Sequence, residues 1–206
     1  MNQLSLLSAG VLCALAVSFG GLVLTGQVQQ AGLAPAAVEE GEPLMPALSP
    51  GLAVIGKDVY ISQGCVHCHT QQVRPAGQGH DLAKNWARRP SVARDYVLQD
   101  RVLLGESRLG PDLVNVGTRQ TDDAALHLQL FDPRIAAPTS VKPSYRHLYE
   151  QRPLAQARDG LKLPEGHPYS PAPGQVWVPT DRARALVAYL KSLRIDYASP
   201  EAPLSQ

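Results

Sequence analysis

Methionine and aromatic side chains are scarce in this chain: there are two Met, and Phe, Trp and Tyr make up 5% of 206 residues. So few large apolar side chains leave little for a self-sufficient core. Short elements joined by long irregular segments are expected, since Pro (18) and Gly (17) are plentiful. Charge of one sign is also lacking. The formal net charge is +1, so bulk electrostatics gives no nucleic-acid partner. Three cysteines are too few for a disulfide framework, and no second Cys-x-x-Cys pair is present to complete a four-thiolate zinc site. No charged side chain precedes Glu39. The chain has no internal repeat and no nucleotide-phosphate loop.

Against these absences stands Cys65-Val66-His67-Cys68-His69, which reads Cys-x-x-Cys-His. That is the attachment signature of a c-type haem. Each thiol can add across one haem vinyl group, and His69 is then held beneath the iron as its proximal ligand. Zinc and a redox dithiol are the rivals. Zinc lacks its second pair. A thioredoxin-like dithiol needs a strand–motif–helix unit with a parallel sheet, which the flanks do not suggest. One covalently bound haem c is the expected cofactor, and it would also supply apolar core. The third cysteine, Cys13, lies in an apolar run and reads as a small hydrophobe.

Leu4 to Leu24 is almost wholly apolar, and about 20 such residues can cross a bilayer as a helix. A cleaved signal peptide normally has a positive n-region and a shorter apolar core. The length and the uncharged flanks favour a retained transmembrane anchor. Basic residues give no orientation. A c-type haem does, because it is attached where haem is delivered across the membrane. Met1 is then cytoplasmic, and the residues after the anchor face the periplasm of a bacterial inner membrane.

Residues 27–51 are rich in Ala, Pro, Gln and Glu and read as a linker. A short helix containing Asp58 to Ser62 should lead into Gly64 and the Cys-x-x-Cys-His turn, with Val59 and Tyr60 making apolar contacts. Asp81 to Arg94 is locally basic and reads as a solvated face. Asp112-Leu113 can open a short helical turn. Asp122 to Leu130 is expected to be helical, offering Ala125, Leu126, Leu128 and Leu130 for burial, and ended by Pro133. Gln151 to Pro179 reads mostly as loop. Leu186, Val187, Leu190 and Leu193 form one apolar face over Asp181 to Arg194, with Thr180 as N-cap. The residues from Ala198 read as a loose tail.

The predicted fold is mainly α: a cytochrome c-like haem domain with long loops, tethered by one N-terminal transmembrane helix. The divisions are 1–26 anchor, 27–51 linker, 52–197 cytochrome domain and 198–206 tail.

A six-coordinate electron-transfer haem needs a ligand opposite His69, usually Met. Met1 falls on the cytoplasmic side, and Met45 precedes the haem motif. Lys142, His147, His127, His167 and His80 remain. Ser140 to His147 has the right place, between a helix and the C-terminal helix. His147 can bind as neutral imidazole. Lys142 can bind only deprotonated, against a free pKa of about 10.4. Both stay open, as does a five-coordinate site.

At these residues the chain resembles the mono-haem subunit II of cbb3-type cytochrome c oxidases. The resemblance runs through Gly64 to Pro75 (GCVHCHTQQVRP), Arg108 to Gly117 (RLGPDLVNVG), Asp132-Pro133-Arg134 and Pro138 to Tyr145 (PTSVKPSY). It implies an anchored c-type cytochrome in a respiratory terminal oxidase. Its partners would be a catalytic subunit carrying haem b and copper, other c-type cytochromes and the membrane. The subunit itself would catalyse no bond chemistry, its haem cycling between ferric and ferrous states. The resemblance also implies that Cys65 and Cys68 hold the haem, that His69 is proximal and that the Pro111 carbonyl accepts its ring N–H. Arg74 and Arg108 could pair with haem propionates. In that family the position before Pro143 holds a Met that serves as distal ligand; here it is Lys142. A haem-based sensor or gas binder is the rival reading, and an electron acceptor for a periplasmic dehydrogenase is a third.

Overall fold

The computed structural model describes residues 2–204. Met1 and the last two positions of the tail, 205 and 206, lie outside the described residues. The first element, α1, is Gln3–Ala31, 29 residues long and apolar enough to cross a membrane. Asn2 caps it, its side chain accepting from the Ser5 N–H at 2.9 Å. Its fifth and sixth turns widen into a π-helical stretch, Phe19–Leu24, around the pair Gly20-Gly21. None of its residues is buried against the rest of the chain. It continues past the expected end at residue 26, because Thr25–Ala31 contains no Pro or charged residue to stop it.

The globular part begins with α2, Gly51–Ser62, and ends with α5, Asp181–Ser192. Between them lie two short helices, α3 (Val116–Arg119) and α4 (Asp123–Phe131), and several 3-10 turns. The pairing of α2 with α5 is the centre of the fold. Gly56 is where the two cross: a Cβ there would come within 1.9 Å of the Ala185 carbonyl oxygen. Ala53, Val59 and Tyr60 from α2 meet Leu186, Tyr189 and Leu190 from α5 in one apolar cluster. The Tyr60 and Tyr189 rings lie 5.3 Å apart. Thr180 caps α5 by accepting from the Ala183 N–H at 3.4 Å, and Asp122 caps α4 by accepting from Ala124 at 2.9 Å. The predicted apolar face of α5 is buried at Leu186, Val187, Leu190 and Leu193. Of the four residues expected for α4 only Leu126 and Leu130 are buried, with Phe131, and Ala125 and Leu128 are half-buried.

Three features differ from expectation. The 151–179 region is mostly loop, as expected, over 157–174, but it carries a strand at each end. Tyr149–Pro153 (β1) and Gln175–Pro179 (β2) pair antiparallel, with Gln151 opposite Trp177. Val176, Trp177 and Val178 favour extended backbone, and a long excursion separates them from their partner. The basic stretch is not only a solvated face. Arg89 is 1% exposed, and its guanidinium holds both oxygens of Asp95 at 2.9 and 2.7 Å. The tail is not loose up to Leu204. Ser199 and Ala202 are buried, Tyr197 donates to Asp95 at 2.8 Å, and Arg94 clasps Glu201. These contacts dock the tail on the Arg89–Asp95 pair.

Candidate functional site

Helix α2 ends at Ser62, and Gly64 takes a left-handed conformation (φ 70°) that L side chains rarely adopt. This reverses the chain into a 3-10 turn at Cys65–His67. The Cys65 carbonyl accepts from both the Cys68 N–H (3.2 Å) and the His69 N–H (3.0 Å). In a 3-10 turn residues i and i+3 eclipse, so Cys65 and Cys68 fall on one side. Neither is in a disulfide. Burial pushes the Cys65 thiol up, and the nearby Tyr145 hydroxyl works against that shift.

His69 Nδ1 lies 2.8 Å from the Pro111 carbonyl oxygen. A carbonyl can only accept, so Nδ1 carries the proton and Nε2 keeps a free lone pair. Burial lowers the His69 pKa, the Pro111 carbonyl opposes this, and the charge of Lys142 lowers it further. The ring is thereby kept neutral, which is its ligand form. Gly110 packs on the ring so closely that a Cβ there would come within 2.2 Å of His69 Cε1.

The segment after His69 is tied down by a buried carboxylate. Asp112, 0% exposed, accepts from Thr70 Oγ1 at 2.6 Å, Gln72 N at 2.8 Å and Val114 N at 2.9 Å. The neighbours Asn115 and Gly117 fasten the same loop to the end of α5. Asn115 Oδ1 accepts from Ile195 N at 2.9 Å, and the Gly117 N–H donates to the Leu193 carbonyl at 3.0 Å. Gln71 is buried and exchanges hydrogen bonds with the Tyr189 hydroxyl at 3.0 and 3.1 Å. The whole Thr70–Gly117 junction is therefore braced against α5.

Arg74 and Arg108 converge on Asp81, a residue the sequence reading did not single out. Burial raises the Asp81 pKa, but hydrogen bonds from Arg108 and the Arg74 backbone, with both charges, hold it below its ordinary value. Arg108 also donates to Thr70 Oγ1 at 2.9 Å and lies over the Trp86 ring. Arg74 is the more exposed of the two.

The remaining histidines are engaged elsewhere. His147 is exposed, with Nε2 2.6 Å from Gln63 Oε1. His127 Nδ1 is 3.0 Å from the Tyr149 hydroxyl, and His167 Nε2 is 3.4 Å from Asp132. His80 is exposed. Met45 lines a groove of about 870 Å³ beside Lys191 and Ser192, which none of Cys65, Cys68, His69 or Lys142 lines. Lys142 is different. It is half-buried, its charge acts on Cys65 and His69, and burial pushes its ammonium pKa down while Cys65 opposes the shift.

A thiol pair on one side of a turn, followed by a neutral imidazole with one free lone pair, is the donor set of a haem-binding protein. Among the described residues no three His, Cys, Asp or Glu side chains gather as they would for a bare metal ion. Leu109 and Val141, which flank Gly110 and Lys142 in sequence, are 72% and 84% exposed.

The chain matches the family described as cytochrome C oxidase, mono-heme subunit/FixO over residues 6–170, and it belongs to that family. It is a mono-haem subunit of a cytochrome c oxidase, of the cbb3 type. Comparison with curated proteins finds no match.

Proposed function

We propose that this chain is a membrane-anchored c-type cytochrome that passes electrons within a cbb3-type oxidase toward the oxygen-reducing subunit, which carries haem b and copper. Cys65 and Cys68 form the two thioether bonds, and His69 Nε2 is the proximal ligand. The bound haem supplies one-electron chemistry, cycling between ferric and ferrous iron. Pro111 orients the His69 ring through its carbonyl, and Gly110 gives that ring room. Arg74 and Arg108, gathered by Asp81, supply positive charge for propionates. Helix α1 stays in the bacterial inner membrane, and residues 52–197, with a cytochrome c-like fold, face the periplasm. Other c-type cytochromes are the expected donors.

The observation that supports this reading is the 2.8 Å approach of His69 Nδ1 to the Pro111 carbonyl, next to two cysteines that form no disulfide. Its test uses the full chain purified with its oxidase. The haem should survive denaturing electrophoresis on this polypeptide and lose attachment in Cys65→Ser/Cys68→Ser. Mixing the reduced complex with oxygen should reoxidise this haem within turnover. A haem that stays reduced while the complex consumes oxygen would remove the electron-transfer role.

A further inference from the structure

We infer that Lys142 is the sixth ligand of the haem iron, binding through Nζ opposite His69. The inference rests on the haem reading above and adds the ligand that reading leaves unassigned.

The placement of residue 142 follows from how its loop is held. Tyr145 donates its N–H to the Leu130 carbonyl at 2.9 Å, and Ser144 Oγ donates to the Phe131 carbonyl. Both acceptors lie in the last turn of α4, so the loop is pinned to a buried helix end. Tyr145 itself is buried, and its hydroxyl is close enough to Cys65 to act on the thiol. Lys142 precedes it by three residues. The Lys142 N–H donates to Ser140 Oγ at 3.3 Å, which closes the loop locally. The same loop that touches one attachment thiol therefore carries the lysine.

Lys142 has a half-buried side chain whose charge acts on both Cys65 and His69. Among the described residues its Nζ makes no hydrogen bond and no ion pair. Lys57, Lys191, Arg94 and Arg184 all hold carboxylates. A half-buried ammonium without a hydrogen bond or ion pair is costly, because burial disfavours the charged form more than the nearby Cys65 favours it. A metal centre beside it removes that cost. The ammonium gives one proton to solvent, and the freed lone pair forms the Nζ–Fe bond. No electron is transferred in that step.

The geometry of His147 does not compete. Its Nε2 is held by Gln63, and the ring is exposed. A thioether ligand raises the potential of a haem relative to a nitrogen donor. A lysine-ligated subunit should therefore sit below the potential that the same site would have with Met.

The test is magnetic circular dichroism and electron paramagnetic resonance on the full haem-loaded chain in detergent. The wild type, Lys142→Met, Lys142→Ala and His147→Ala are compared. The wild type should be low-spin with nitrogen on both axes and no sulfur-to-iron charge-transfer band. Lys142→Met should gain that band and a higher midpoint potential. Lys142→Ala should turn high-spin and bind carbon monoxide when ferrous. His147→Ala should match the wild type. A wild type that is already high-spin, or a low-spin signature unchanged in both Lys142 variants, overturns the assignment. Loss of the signature in His147→Ala overturns it in favour of imidazole. A wild-type chain with no covalent haem overturns the haem reading and this inference together, whereas the other outcomes strike the ligand alone.

Discussion

His69 Nδ1 is 2.8 Å from the carbonyl oxygen of Pro111. The two residues are joined across 42 positions, and the contact sets the tautomer, the ring plane and the lone pair left for a ligand. It exists because the 108–117 loop is tied both to the segment after His69 and to the end of α5.

Gly110→Ala tests the space beside that ring. The new Cβ would lie 2.2 Å from His69 Cε1, so the ring must shift. We expect an altered axial-ligand spectrum and a changed midpoint potential. The stability cost should be only about 1–3 kcal/mol, since the change overpacks one exposed loop. Redox titration and thermal unfolding of the same sample check both parts. An unchanged spectrum would mean that the ring does not depend on this contact.

Asp112→Ala should be more damaging. It strips the acceptor from Thr70 Oγ1, Gln72 N and Val114 N. The Val114 N–H is buried and the other two donors only partly so. A buried donor without an acceptor costs about 1–3 kcal/mol, so a loss of about 2–3 kcal/mol is expected. Asp112→Asn, which keeps an acceptor oxygen, should lose less. Thermal unfolding ranks the three proteins.

Arg89→Ala leaves the buried Asp95 carboxylate without its bidentate partner. Breaking such a pair costs about 3–5 kcal/mol, whereas replacing both partners with apolar residues is close to neutral. The double variant Arg89→Met/Asp95→Leu should therefore be more stable than Arg89→Ala. Arg89 Nε also donates to the Tyr197 carbonyl at 2.7 Å, so the single variant should free the tail to limited proteolysis.

Docking of the tail should weaken in acid. The Arg94 guanidinium, helped by the Ser199 hydroxyl, pulls the Glu201 carboxyl from 4.5 to about 2. A depressed carboxylate stabilises the fold above its unfolded pKa, and that gain is lost as pH falls from 4.5 toward about 2. Glu201 is partly exposed, so solvent screening keeps the contribution under about 1 kcal/mol. Cleavage of the tail by an acid-active protease should rise across this window, and Arg94→Ala should flatten the dependence.

What the one-dimensional pattern shows depends on how local the controlling interactions are. Helices α4 and α5 were legible because an apolar face and a side-chain cap recur within one or two turns. The β1–β2 pair was not, since its strands are separated by a long Pro-rich excursion and neither carries a long alternation. Arg89, Asp81 and Asp112 were missed for a shared reason. Charged residues read as surface unless their partners are visible, and here the partners come from other segments.

The Cys65-x-x-Cys68-His69 spacing by itself determined the proposed haem donor set, because such a set needs only neighbours within one turn. The apolar length of α1 likewise follows from composition alone. Only the tertiary structure separated Lys142 from His147, two residues five positions apart in one loop. It pins that loop to α4, turns His147 out to Gln63 and leaves the lysine half-buried with its charge felt at Cys65 and His69. Which side chain faces a site is set by packing between distant segments, and no spacing within the loop contains that information.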